Sequence, residues 1–289
     1  MLNGRGDGRE LKSGSEDTPA AASYVLGHSD RELERLDKQA QLINPITRRF
    51  LTSAGIVSGM RVLDVGSGSG DTAMLAAELV GAEGEVVGTD RSASALARAK
   101  QRVKARSLRN VDFREGNPAE MTFDRPFDAV IGRYVLMFQR DAAAMLRSLA
   151  RHARRGGVIF FHEVDLDGAR SSPPAPTYDR CCQWIAETLR LSGAEIRMGT
   201  RLFSTFIAAG LAPPSLQLET LISSVANNSG PLELIGGLVV TLADEMERLG
   251  VATAADVGLD TLADRMTREA AASGSVVVGR FEIGAWSRV

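Results

Sequence analysis

The sequence predicts a doubly wound α/β fold, an open and mainly parallel sheet with helices packed on both faces. Three observations carry this. From Arg61 onward, short apolar runs alternate with amphipathic stretches, the pattern of a sheet buried on both sides. The first run passes directly into a glycine-rich turn, Val62-Leu-Asp-Val-Gly-Ser-Gly-Ser-Gly70, that opens a helix. The second run ends on an acid, Asp90, where such sheets hold ligands.

The elements follow in order. Residues 1–22, rich in Gly, Ser, Asp, Arg and Glu, are expected to be a disordered tail. Ser29-Asp-Arg-Glu32 has the form of a capping box, so a helix starts there. Leu33, Leu36, Ala40 and Ile43 give it one apolar face as far as Asn44-Pro45. A cap residue and a first-turn proline are expected to restart the helix at that point. Residues 23–54 then form a helical lid before a binding core over 55–168. Strands are expected near 61–65, 85–89, 111–115, 128–132 and 157–163, with helices near 71–80, 93–105 and 140–153. Beyond a proline-rich loop at 171–176, helices are expected near 177–192, 200–209, 231–249 and 260–272. Leu216, Leu218 and Thr220 alternate as a strand does, and the apolar run from Val276 to Trp286 closes the chain. Residues 169–289 thus supply pocket helices and the strands that complete the sheet.

With 289 residues the core needs neither disulfide nor structural metal. Lys and Arg number 34 against 36 Asp and Glu, and without a basic tail or stripe nucleic acid is not an expected partner. No apolar run reaches the ~20 residues that span a bilayer. Cys181 and Cys182 are adjacent and are read as reduced thiols. Together with the absence of a signal-peptide pattern in residues 1–22, they lead to the expectation of a cytoplasmic protein. Leu234, Ile235, Leu238, Val239, Leu242 and Met246 form an apolar face wider than one sheet edge requires, read either as a lid over a pocket or as a homodimer contact. Trp184, Leu189, Leu202, Phe203, Phe206 and Ile207 stand at helical spacings that suit core or cavity wall.

Gly66, Gly68 and Gly70 permit a tight turn and close approach of the backbone to a ligand. Asp90 can accept hydrogen bonds from both hydroxyls of a ribose lying across the strand ends. A dinucleotide fingerprint would put its last glycine at position 71, where the chain has Asp71. That carboxylate would occupy the place of a pyrophosphate at the helix N-terminus, so an NAD(P)-dependent oxidoreductase fits less well.

The Gly-x-Gly-x-Gly form preceded by Asp64 resembles the first motif of class I S-adenosylmethionine-dependent methyltransferases. Asn110-Val-Asp-Phe-Arg-Glu-Gly-Asn-Pro118, Phe127-Asp-Ala-Val-Ile-Gly-Arg-Tyr-Val-Leu-Met137 and Arg154-Arg-Gly-Gly-Val-Ile-Phe-Phe-His-Glu163 are similar to that family's third, fourth and fifth strand segments. The resemblance runs from about 61 to 163 and is nearest to the small-molecule and quinone-type (methyltransferase type 11-like) members. It implies a Rossmann-like sheet of seven strands, the last antiparallel, with S-adenosylmethionine as cofactor and S-adenosylhomocysteine as product. It also implies cofactor contacts from Asp64, Gly66, Ser67, Gly68 and Gly70, from Asp90 on the ribose and Arg91 along the adenine, and from Gly116, Asn117 and Pro118. Asn117 stands where relatives carry an aspartate, and Pro118 has no N–H to offer the adenine ring. By the same resemblance the turn containing Arg133 meets the methionine end and Tyr24 of the lid touches its carboxylate; the other reading of Tyr24 is a side chain packed within the lid.

Methyl transfer from a sulfonium is a direct displacement, so positioning supplies much of the catalysis and a base is needed only where the acceptor must lose a proton. His162, at the C-terminal end of the fifth strand, is the candidate base; its other reading is a buried His bonded within the helix layer. Glu163 points to the opposite face. His28 and Tyr134 are secondary candidates. Glu163, Asp165 and Asp167 alternate with a spacing that on a continued strand would suit Mg²⁺ ligands, but they read as a solvated loop and no metal is expected. The turn Gly132-Arg-Tyr-Val135 lacks the Asn/Asp-Pro-Pro-aromatic tetrapeptide of relatives that methylate the exocyclic amines of bases. The expected acceptor is a small, partly apolar molecule of secondary or quinone-like metabolism. A cyclase that binds the cofactor without transferring methyl is the alternative.

Overall fold

The computed structural model describes residues 30–224 and 229–289, with residues 30–38 as helical backbone. The expected tail, Tyr24, His28 and the Ser29 cap lie outside the described residues. Five parallel strands, β1 (Arg61–Val65), β2 (Glu85–Asp90), β3 (Val111–Glu115), β4 (Phe127–Arg133) and β5 (Ala153–Asp165), lie in the order β3-β2-β1-β4-β5. The short β6 (Arg170–Ser172) and the edge strand β7 (Ser215–Ser224) both pair antiparallel with β8 (Val276–Arg288), which runs antiparallel beside β5. The expected closing antiparallel strand is therefore β8. Because β2 and β4 flank β1 on opposite sides, the chain reverses its winding there and leaves a crevice beyond the strand ends.

Helices cover both faces. On one lie α1 (Asp30–Ser53), α2 (Asp71–Val80) and α3 (Ala93–Ala105), whose Ile43, Phe50, Met74 and Leu96 pack on Val62, Ile131 and Phe160. On the other lie α4 (Ala142–Ala150), α5 (Pro176–Leu191), α6 (Met198–Ala208), α7 (Gly230–Arg248) and α9 (Leu259–Ala272), with the short α8 (Ala254–Val257) before the last. Strand positions alternate between these layers, as the pleat requires: Phe160 and His162 face α1, whereas Phe161 and Glu163 face away.

Three expectations change. The helix does not restart at Asn44-Pro45: α1 is continuous through Pro45. Pro45 and Gln41, four residues before it, are both exposed, so the ring points outward and water can take the carbonyl that the missing N–H leaves open. The buried Ile43, Ile46 and Phe50 hold the helix on the sheet on either side of the proline. Strand β5 begins before the expected 157, because a bulge lets Phe127 pair with Ala153 while Ala129 pairs with Val158. The apolar face of α7 is not left over for a second copy, since Ile235, Leu238, Val239, Leu242 and Met246 are buried within the chain. Leu189 faces a cavity, Leu202 and Phe206 are core, and Phe203 and Ile207 are a little under half exposed. Both cysteines are free, and burial raises their thiols to about 11 for Cys181 and about 12 for Cys182. Among the described residues, no helix is long and apolar enough to cross a membrane.

Candidate active site

A cavity of about 790 Å³ opens at the C-terminal ends of β1, β2, β3 and β4 and continues under α5 and α7. Gly66, Ser67, Gly68, Asp90, Arg91, Gly116, Asn117, Pro118 and Arg133 line it. The sequence motifs thus converge on one space, although they lie far apart in the chain.

The glycine loop is built by close packing on one side and open space on the other. A Cβ on Gly66 would lie 2.7 Å from the Val135 side chain, whereas one on Gly68 would meet nothing within 4 Å. Asp90 fastens the loop to the end of β2: its Oδ2 accepts from Gly68 N and its Oδ1 from Ser92 N, both at 2.9 Å. A carboxylate oxygen has two lone pairs, so each keeps one for a ligand. Asn117 Oδ1 accepts from Ala119 N at 3.2 Å and its amide donates to Glu120 at 2.6 Å, which folds the β3 turn onto the cavity wall.

Two loop residues fall elsewhere. Gly70 is not on the wall, because it packs against Ala99 and Phe113 at the start of α2. Asp64 is buried in β1 beneath the loop, where neither carboxylate oxygen finds a hydrogen-bond partner. Burial pushes its carboxyl up to about 8, against the pull of the Arg133 guanidinium. A latch that the motif did not reveal holds the loop from outside. Arg102 of α3 donates to Ser69 O and Asp71 Oδ1, both at 2.8 Å. Burial works against the Asp71 charge, but Arg102 outweighs it and holds the carboxyl below the ordinary range.

His162 does not reach the cavity wall. It is fully buried beneath it, edge-on to Phe50 with ring centroids 5.0 Å apart. Its Nε2 lies 2.8 Å from Glu282 Oε2 and its Nδ1 3.2 Å from Thr47 Oγ1. Burial holds its pKa below the ordinary value, only partly offset by Glu282. The Glu282 carboxyl, in spite of burial, is brought down to about 2 by Arg280 and His162. A neutral imidazole therefore donates through Nε2 to an ionised carboxylate. The same Oε2 accepts from the Tyr134 hydroxyl at 2.7 Å, and Oε1 accepts from Arg280 Nε at 2.8 Å. Through Thr47, which accepts from Arg133 Nη1 at 2.9 Å, the network reaches the other side of the cavity.

Tyr134, Arg133 and Arg280 carry this network to the wall. Burial pushes the Tyr134 phenol well above its ordinary value. Glu163 accepts from the Val135 and Leu136 amides at 2.9 and 2.7 Å, and so caps the turn that carries Tyr134. Asp165 bonds Thr200, and Asp167 pairs with Arg197. Of the acceptor-side network, sequence reasoning named only His162, Tyr134 and Arg133. Asn44, expected as a helix cap, instead accepts from Arg133 Nη1 at 2.9 Å. Arg280 and Glu282 did leave a signal, as two opposite charges at alternate positions within the otherwise apolar run from Val276 to Trp286.

A family model described as a methyltransferase domain matches residues 56–194. The ubiquinone/menaquinone biosynthesis C-methyltransferase UbiE of Xylella fastidiosa is 31% identical over 198 residues, covering 66% of this chain and 76% of that one. The arsenite methyltransferase of Aquipseudomonas alcaligenes is 34% identical over 125 residues, 40% of this chain and 36% of that one. The chain spans between a third and a little over half of the length of the first such relatives. A solved putative methyltransferase of Bacillus halodurans C-125 shares the fold, with a TM-score of 0.54 at 17% identity over 84% of this chain and 97% of that one. Its match to most of UbiE, together with the motifs gathered on the cavity wall, shows that the chain belongs to the class I S-adenosylmethionine-dependent methyltransferase family.

Proposed function

We propose that this chain transfers a methyl group from S-adenosylmethionine to a small, largely apolar molecule. One observation carries the reading: a single cavity joins the glycine loop and Asp90 to an apolar wall that includes Met145, Val164, Ile185, Leu189 and Leu238. A polar nucleoside end and an apolar acceptor end in one space suit this chemistry. Nucleic acid is not the proposed acceptor, because the turn after β4 reads Gly132-Arg-Tyr-Val135.

The residues fit the cofactor. Ser67 Oγ, on the cavity wall, is buried without a partner, and the backbone at Gly68 faces open space. An orphaned hydroxyl beside an uncrowded glycine is a cradle for a polar ligand. Asp90 would hold the ribose hydroxyls, Arg91 and the Gly116–Pro118 turn the adenine, and Arg133 the methionine carboxylate. Bound there, S-adenosylmethionine supplies an electrophilic methyl on a positively charged sulfur. The chain's own residues orient the acceptor and exclude water. His162, two hydrogen bonds from the wall, serves by bracing Glu282 and through it Tyr134 and Arg280.

The test is direct. S-adenosylmethionine or S-adenosylhomocysteine should raise the melting temperature, and Asp90→Ala should abolish the shift. An unshifted wild-type melt at saturating ligand would overturn the cofactor reading. Binding with no acceptor mass gain of about 14 Da, across a panel of phenols, enols and quinols, would point instead to the non-transferring cyclase.

A further inference from the structure

We propose that Arg280 is the acceptor-recognition residue, its open guanidinium edge holding the oxyanion of an apolar enolate or phenolate. The assignment rests on the methyltransferase reading above and names the class of acceptor. It begins from how Arg280 is held. Nε donates to Glu282 Oε1 at 2.8 Å and Nη2 to the Tyr134 hydroxyl at 3.1 Å, while Nη1 has no hydrogen-bond partner among the described residues. The residue is 7% exposed, and it lines the cavity that Leu238, Ile185 and Leu189 also line as well as a small pocket beside Leu221 and Leu234. A buried guanidinium is costly, and a core of this size has no need of one for folding. Glu282 fixes it in place, and His162 and Tyr134 fix Glu282, so the fork is oriented before any ligand arrives.

The other groups on the wall narrow the acceptor. Among the described residues, those lining the cavity include no His, Lys, Cys or Glu. Asp71 is bound to Arg102, Asp90 is bound to the glycine loop, and the Tyr134 proton is committed to Glu282. None is placed to take a proton from a neutral hydroxyl or carbon acid. An acceptor that arrives as an anion needs no base. Its own electron pair forms the new bond to the methyl carbon, the carbon–sulfur pair stays on sulfur, and the positive and negative charges cancel with no proton moved. An arginine beside an apolar wall is the group that selects such a molecule. Tyr134 cannot replace Arg280 in this task, because its hydroxyl already accepts from Arg280 and donates to Glu282.

The experiment is isothermal titration of the S-adenosylhomocysteine-saturated protein at pH 7.5. Its probes are 2-hydroxy-1,4-naphthoquinone, a fused-ring enol that is ionised at this pH, and 2-amino-1,4-naphthoquinone, its uncharged near-isostere. The enolate should bind about tenfold more tightly than the amine, the size of one charge-assisted hydrogen bond. Arg280→Gln should bring the enolate down to the affinity of the amine while leaving S-adenosylhomocysteine affinity within about twofold, and Arg280→Lys should retain part of the preference. The comparison in the wild type needs no variant, so a folding defect in Arg280→Gln does not block the test. Equal affinities for the two probes, no enolate binding at millimolar concentration, or a preference that survives in Arg280→Gln would each overturn the assignment. Failure of S-adenosylhomocysteine to bind the wild type would instead overturn the methyltransferase reading beneath it.

Discussion

His162 donates to Glu282 across 2.8 Å, with both side chains closed off from solvent. The contact joins β5 to β8 and supports Tyr134 and Arg280 from below. Its removal leaves a buried carboxylate short of a donor and opens a space against Phe50. His162→Ala is expected to cost about 3 kcal/mol in urea unfolding. His162→Gln, which can still donate, should cost less. Affinity for S-adenosylhomocysteine should change by no more than about twofold in either variant, because His162 does not line the cavity. A catalytic base would instead leave stability intact and abolish turnover in both.

The same contact sets a pH dependence. Burial keeps His162 neutral in the folded state below the ordinary pKa of about 6.5, whereas the unfolded chain takes up a proton there. Its contribution is therefore complete above about pH 6.5 and declines as pH falls, by up to about 1.4 kcal/mol per pH unit. Glu282, depressed to about 2, adds a loss of the same sign below about 4.5. Asp64 and Glu163, both raised to about 8 by burial, act the other way, since their contribution is complete below about pH 4 and is lost as pH rises toward 8. The stability difference between wild type and His162→Gln cancels those two. It should shrink steadily from pH 7 to pH 5, read from urea midpoints, and a constant difference would mean that His162 titrates normally.

Two glycines of one loop should fail in different ways. Gly66 has φ +63° and lies against Val135, so Gly66→Ala adds a clash to backbone strain and should destabilise by about 2 kcal/mol or more. Gly68 has φ +51° with nothing near its missing Cβ, so Gly68→Ala should cost only about 1 kcal/mol. Its methyl group, however, would project into the space assigned to the cofactor. S-adenosylhomocysteine affinity should fall about tenfold or more in Gly68→Ala, which calorimetry would measure on a protein that still folds.

What could be read in the sequence was what is local. The run from Arg61 to Asp90 carries strand, turn, helix, strand and acid in register, and the structure reproduces each to within a residue. The continuity of α1 through Pro45 is not legible locally, because the penalty of the proline depends on whether water can reach the carbonyl it strands, which only the tertiary arrangement decides. The network under the acceptor end was largely hidden for a different reason. Thr47, Arg133, Tyr134, His162, Arg280 and Glu282 meet only because β8 inserts beside β5 and α1 lies across the strand ends. No spacing rule connects residues on α1, β4, β5 and β8, although opposite charges at 280 and 282 within an otherwise apolar run marked where to look.

The Arg102 latch offers the sharpest separation of loop geometry from loop chemistry. Arg102 touches Ser69 and Asp71, neither a glycine of the motif, yet it holds the carbonyl of one and the charge of the other. Arg102→Met leaves the Asp71 carboxylate nine-tenths enclosed without its cation, which should destabilise the fold by about 3 kcal/mol. Adding Asp71→Asn removes the stranded charge, so the double variant should be more stable than Arg102→Met alone, with a coupling of about 1 to 2 kcal/mol in a urea-monitored double-mutant cycle. Cofactor affinity should not recover in parallel, because the Ser69 carbonyl is still unheld and the loop is free to drift from Asp90. Stability restored while S-adenosylhomocysteine still binds about tenfold more weakly would assign Arg102 to shaping the cradle. Recovery of both together would reduce the latch to an ordinary ion pair.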